Sequence, residues 1–132
     1  MSRFDAATAA DRQVLFADAI AAHRERSSPF CTIEADPESL PEESELGIPW
    51  VQFGDGIVNL DCTEEELDRL KSLLQDFPAC TVDELTRPDD ADGVNVRVSA
   101  TVDPHRVAQL VDAIFVRVYE LPESYRGWVV EL

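Results

Sequence analysis

Residues 57–74 read IVNLDCTEEELDRLKSLL and decide the predicted fold, because two different periodicities meet in this stretch. Ile57 to Asp61 form a short run suited to a strand. Thr63 and Glu66 then make a capping box, in which each side chain accepts a hydrogen bond from the other residue's amide at the start of a helix. Leucines spaced three and four apart continue the helix to about Asp76. The stretch therefore predicts a strand followed directly by an amphipathic helix.

The same order of elements recurs in the C-terminal half of the chain. Residues 94–100 alternate between apolar and polar side chains, as a strand does. Asp103 and Pro104 then provide an N-cap and a first-turn proline for a second helix, whose apolar stripe ends at Leu121. A weak strand at 79–85 precedes this unit, and a final alternating stretch at 127–132 follows it. Two β-α-β units are therefore predicted.

This order predicts an α+β fold with a ferredoxin-like, split β-α-β core from about residue 57 to 132. We expect one domain over 1–132, divided into an N-terminal part (1–47) and a sheet-and-helix core (48–132). A helix at 8–26, a short strand at 30–34 and an acidic loop at 36–45 make up the first part. A hairpin arm turns at Gly54-Asp55-Gly56, because glycine adopts the positive φ angles that tight turns need.

The charge composition predicts adaptation to a cell interior with molar salt. The net charge is −16, and Lys71 is the only lysine among eleven basic residues. At about 1 M ionic strength the screening length falls to about 3 Å, so the repulsion between carboxylates nearly vanishes. The pattern resembles that of cytoplasmic proteins of salt-in halophiles. Nucleic acid is not an expected partner, because phosphate binding needs basic clusters. No apolar run is long enough to span a bilayer, so no membrane association is expected.

One candidate site follows from the predicted sheet. If the strands at 57–61 and 94–100 are parallel neighbours, Cys62 and His105 lie at the same edge, and an imidazole can activate a thiol as a nucleophile. Asp61, Asp103 and His105 could alternatively bind a divalent cation. The crowded carboxylates argue against both chemistries, because they raise a thiol pKa and also suit helix N-termini. We therefore predict no catalytic residue, metal site or cofactor.

The last predicted helix has an unusually wide apolar surface. Phe115, Tyr119 and Leu121 extend its stripe round a second side and are predicted to form an interface. The N-terminal helix, a second copy or a different protein could cover them. The sequence thus predicts an interaction or regulatory module, a homodimer or a complex with another protein, that acts through apolar contacts. The alternative is a small enzyme or metal-binding protein that uses the edge near Cys62, Asp103 and His105.

Overall fold

The computed structural model describes residues 4–26, 31–35, 50–54, 56–87, 93–123 and 125–131. They form three α-helices and seven strands, with a π-helical turn at Ile114–Val118 that continues the third helix. The elements in chain order are β1 (Phe4–Ala6), α1 (Ala9–Arg26), β2 (Cys31–Ala35), β3 (Trp50–Gly54), β4 (Ile57–Cys62), α2 (Glu64–Leu74), β5 (Thr81–Thr86), β6 (Val94–Ser99), α3 (Pro104–Ala113) and β7 (Gly127–Glu131). The predicted acidic loop at 36–45 lies outside the described residues.

The strands form one antiparallel sheet in the order β1-β7-β2-β3-β4-β6-β5. The predicted α+β class is therefore confirmed. The hairpin arm, β3 and β4, joins the main sheet, and β1 adds an edge strand that the sequence analysis did not predict. The weak strand at 79–85 exists as β5 at the other edge, where its exposed acids Asp83 and Glu84 are tolerated because that side of the strand faces solvent.

The strands β4 and β6 run antiparallel, with Ile57 opposite Ser99 and Cys62 opposite Val94. The prediction that they are parallel neighbours is wrong. Helix α2 crosses from β4 to β5 and makes those two strands parallel, while β6 lies between them in the reverse direction. This arrangement is a split β-α-β unit. The second unit is wider, because β2, β3 and β4 all lie between β6 and β7.

The helices pack on one face of the sheet, and α3 lies in the middle of their layer. Helix α1 packs along α3, and α2 packs on the π-helical turn. Alternate strand residues point into this layer, including Val51, Phe53, Val58 and Leu60, all at most 1% exposed. Because α3 has neighbours on both sides, its apolar surface must be wide. Within the described residues, no helix has the length and hydropathy needed to cross a membrane.

Local side-chain contacts set the starts of α2 and α3 as predicted. The Thr63 amide donates to Glu66 Oε1 at 2.8 Å, and the Glu66 amide donates to Thr63 Oγ1 at 3.1 Å, which completes the capping box of α2. Asp103 Oδ1 accepts from the first two amides of α3. At the other end, Glu120 has φ 57° and the Leu121 amide bonds the Phe115 carbonyl. This left-handed residue reverses the chain after the π-helical turn.

A buried ion pair joins α1 to α3. Arg12 is fully buried, and its Nε donates to Asp112 Oδ1 at 2.7 Å. Its Nη1 donates to the carbonyls of Glu123 and Tyr125 at 2.7 and 2.9 Å, while its guanidinium lies 4.0 Å from the Tyr125 ring centroid. The Tyr125 hydroxyl donates to the same carboxylate oxygen at 2.9 Å. The Arg12 side chain thereby links α1 to α3 and to the segment that leads into β7.

Arg12→Met should lower the free energy of unfolding by about 3–5 kcal/mol, because it leaves the Asp112 carboxylate buried without its counter-charge. A double variant that also carries Asp112→Leu should lose less, since no charge remains buried. Urea unfolding in molar KCl, followed by circular dichroism, measures both. The control is Arg117→Met, which removes an exposed pair with Asp76 and should cost at most about 1 kcal/mol. Equal costs for Arg12→Met and Arg117→Met would contradict the assigned role.

Candidate functional site

The structure separates the residues of the predicted edge site. Cys62 ends β4 opposite Val94 at the start of β6, whereas Asp103 and His105 follow the other end of β6. The two ends of β4 are roughly 17 Å apart at about 3.4 Å per residue. The thiol and the imidazole are therefore not brought together, because β4 and β6 run in opposite directions.

The Cys62 side chain lies in the core, with no exposed surface. Its pKa is raised from 9.0 to about 12, chiefly by burial and also by the carboxylates of Glu66 and Asp61, while Arg69 acts in the opposite direction. Burial likewise raises the pKa of Cys31 to about 11. A nucleophilic cysteine needs a lowered pKa and an accessible sulfur. The environment of Cys62 favours the neutral thiol.

These pKa shifts predict an alkaline loss of stability. The thiol pKa values of Cys31 and Cys62 are higher in the folded chain than in the unfolded chain. Their contribution to the free energy of unfolding is therefore complete below about pH 9 and is lost as the pH rises toward 12.

At about pH 8, iodoacetamide should label Cys62 far more slowly in the folded chain than in urea. Mass spectrometry of labelled peptides measures the ratio. Equal labelling rates in the two states would show that the thiol is accessible.

The predicted metal ligands do not converge either. Asp61 Oδ1 accepts a hydrogen bond from Asn95 at 3.0 Å on the sheet, whereas Asp103 caps α3 and His105 is exposed beyond the opposite strand end. Among the described side chains, no three histidines, cysteines or carboxylates lie close enough to share a metal ion. Asp103 has the local role that its sequence position indicated, at a helix N-terminus.

The predicted interface residues lie inside the chain. Phe115 is fully buried, with ring centroids of Phe16 and Tyr125 at 6.4 and 5.4 Å, and Leu121 is 4% exposed. Tyr119 is half-buried, and its hydroxyl donates to the Asp61 carbonyl. The N-terminal helix therefore covers this stripe, because Phe16, which contacts Phe115, belongs to α1. The expected apolar patch on the surface does not form.

The sheet has a second face that no described helix covers. The described residues that alternate with the core positions of six neighbouring strands are half-buried or exposed. We call this surface the open face; its members include Thr32, Glu34, Trp50, Gln52, Ile57, Asn59, Asp61, Glu84, Asn95, Arg97, Ser99 and Trp128. Antiparallel sheets commonly pack one face on the core and leave the other to solvent or to a partner.

Amide side chains dominate the middle of the open face. Asn95 Nδ2 donates to Asn59 Oδ1 at 2.9 Å and to Asp61 Oδ1 at 3.0 Å, which links β6 to β4. Gln52 lies opposite Asn59, and its Nε2 is 3.5 Å from Thr32 Oγ1 on β2. Amides and hydroxyls both donate and accept hydrogen bonds. The centre of the face can thus pair with many polar surfaces, including a copy of itself.

Both tryptophans of the chain lie on the open face, on either side of one carboxylate. Glu34 on β2 pairs with Trp50 on β3 and with Trp128 on β7. The indole N–H of Trp128 donates to Glu34 Oε1 at 3.5 Å. The sequence analysis did not select this group. Period-two alternation places each residue on one side of its strand, but only the pairing of three distant strands makes them neighbours.

The exposed carboxylates lie mainly away from the open face. On β2, β3, β4, β6 and β7, none of the side chains whose exposure the structure describes is an exposed acid, and the two acids among them, Glu34 and Asp61, are half-buried. The exposed acids lie on the helices and their flanking segments, and on the edge strand β5: Asp11, Asp18, Glu64, Glu65, Asp68, Asp76, Asp83, Glu84, Asp103, Glu120 and Glu123. In a chain with net charge −16, the central open face is therefore low in charge.

Comparison with family models matches the whole chain, residues 1–132, to a family described as being of unknown function (DUF7975). No curated protein and no solved structure matches the chain. The description of the family names no activity, ligand or partner, so the residues themselves must carry the functional argument.

Proposed function

The chain belongs to the DUF7975 family of unknown function, and we propose that it is a small interaction or regulatory module that contacts a protein through its open face. The observation that carries the proposal is the composition of that face. Both tryptophans lie there among uncharged amides and hydroxyls, while the exposed carboxylates of the described residues, apart from Glu84 on the edge strand, lie elsewhere. The cores of protein interfaces are likewise enriched in aromatic residues and depleted of charge.

The distribution of charge also limits which surface of this chain an acidic partner can contact. A second copy or another acidic protein is repelled by the helical side but meets few carboxylates on the open face. Arg97 is exposed there, and no described carboxylate lies within 4.0 Å of it. The described charges of the face are Arg97, two half-buried acids and Glu84 at the edge strand, and amides form its centre; such a face is self-complementary, so a homodimer is the simplest complex of this kind. Nucleic acid is not part of the proposal.

A steric and charged substitution at the centre of the face tests the proposal. Gln52→Arg should abolish dimerisation or capture of a stoichiometric partner, since it places a second, bulky cation in the middle of the contact. The matched control is Gln75→Arg, the same change at an exposed position after α2, which should leave binding intact. Affinity purification from native lysate in molar KCl, with light scattering, gives the readout. Loss of the complex only with Gln75→Arg would place the contact on the helical side.

The small enzyme or metal-binding alternative is not carried forward. Its residues, Cys62, Asp103 and His105, lie at two ends of the sheet, and burial keeps the Cys62 thiol neutral. The ferredoxin-like description is retained as a proposal for residues 57–131, with β2 and β3 inserted between the first and fourth strands of that pattern.

We also propose that the protein functions in a cytoplasm with molar salt. The distribution of exposed carboxylates over the helical side supports this, because those charges repel one another in dilute buffer and are screened at high ionic strength.

Dialysis from molar KCl into dilute buffer should therefore unfold the chain. A variant with Asp18→Asn, Glu65→Gln, Asp68→Asn and Glu123→Gln should stay folded at lower salt, since it has four fewer charges. Circular dichroism across a KCl series compares the two midpoints. Full secondary structure of the parent chain in dilute buffer would contradict adaptation to high salt.

A further inference from the structure

The π-helical turn at Ile114–Val118 brings the residue that follows it to the end of β4. The Tyr119 amide donates to the Ile114 carbonyl at 3.1 Å, five residues back along the chain rather than four. Such a turn takes in one residue more than an α-helical turn, so the side chains after it are rotated by about 100° from their α-helical positions. The turn therefore determines the direction of the Tyr119 side chain.

Contacts with a strand and with two helical segments hold Tyr119 in this position. Its ring centroid lies 6.1 Å from that of Phe115, and its hydroxyl donates to the Asp61 carbonyl. Arg69 of α2 donates from Nε to the Val118 carbonyl at 2.9 Å, which joins the end of the turn to α2. Burial raises the pKa of Tyr119 well above 10.0, so the hydroxyl keeps the proton that it donates. Tyr119 thereby links the helical layer to the end of β4.

The backbone of Asp61 has strand pairing on one side. In the described residues, the register of β3 with β4 ends at Gln52 opposite Asn59, two residues before Asp61. On the other side, Asp61 lies opposite Asn95 of β6. The bond from the Tyr119 hydroxyl therefore restrains Asp61 at a point where the described pairing with β3 has already ended.

The side chain of Asp61 is part of the open face. Its Oδ1 accepts from Asn95 Nδ2 at 3.0 Å, and the same nitrogen donates to Asn59 Oδ1 at 2.9 Å. A displacement of Asp61 must therefore change the hydrogen bonds of both amides. We propose that Tyr119 is a positioning residue for the open face, which fixes Asp61 and thereby orients the amides at the centre of the contact. This inference rests on the proposed function, which assigns the contact to that face.

Tyr119→Phe tests the inference, because it removes the hydroxyl and keeps the ring. In NMR spectra of isotope-labelled protein in molar KCl, the side-chain amide signals of Asn95 should shift by more than their line width. The control is Tyr125→Phe, which removes a buried hydroxyl bond to Asp112 on the side of α3 that faces α1. It should leave those signals in place. Circular dichroism confirms that both variants are folded. Unchanged Asn95 signals in Tyr119→Phe, or equal shifts in both variants, would overturn the inference.

The affinity of the dimer measures the consequence for the contact. Tyr119→Phe should weaken dimerisation about three- to tenfold, which corresponds to about one hydrogen bond, in light scattering over a dilution series. In an Asn95→Ala background the same substitution should have a smaller effect, since the link between Asp61 and Asn95 is already broken. An equal effect in both backgrounds would show that Tyr119 acts by another route and would refute the inference. A parent chain that binds neither itself nor a partner contradicts the proposed function, and the Asn95 signals still decide the role of Tyr119.

Discussion

The buried pair of Arg12 and Asp112 constrains how α1 packs on α3. Both charges are removed from water, so each requires the other, and the further bonds of Arg12 to the carbonyls of Glu123 and Tyr125 restrict it to one position. Salt screens exposed charges strongly and buried pairs much less. In a protein covered by carboxylates, this pair is therefore an electrostatic contact that keeps its strength in molar salt. It sets how α1 lies on α3.

The position of α1 determines what α3 can present to the outside. Phe16 of α1 packs on Phe115, and Tyr119 reaches the end of β4, so the wide apolar stripe of α3 is used within the chain. A helix between two others needs apolar residues on more than one side, whereas a surface helix needs them on one. The stripe that suggested an interface is explained by a central position in the layer.

With the helical side closed and acidic, the chemistry that remains lies on the sheet. The open face combines three features: few exposed carboxylates, a linked set of amides, and two indoles on either side of one acid. Amides hydrogen-bond without a net charge, so they contribute to a contact at any salt concentration. Indoles add apolar area, whose burial is strengthened by high salt when the anion is excluded from the surface. The face thus suits association under the high-salt conditions proposed above.

The sequence by itself determined most of the elements and the first residues of α2 and α3, but neither β1 nor the π-helical turn. The capping box at Thr63 and Glu66, the N-cap at Asp103 and the alternation at 94–100 depend on residues within a few positions of one another, and all appear in the structure as predicted. Only the tertiary structure decided the direction and order of the strands. Alternation of apolar and polar residues predicts the two faces of a strand, but it does not predict which strand pairs with it. Pairing depends on contacts between distant segments, and for that reason Cys62 and His105 are separated while Glu34 and Trp128 are neighbours.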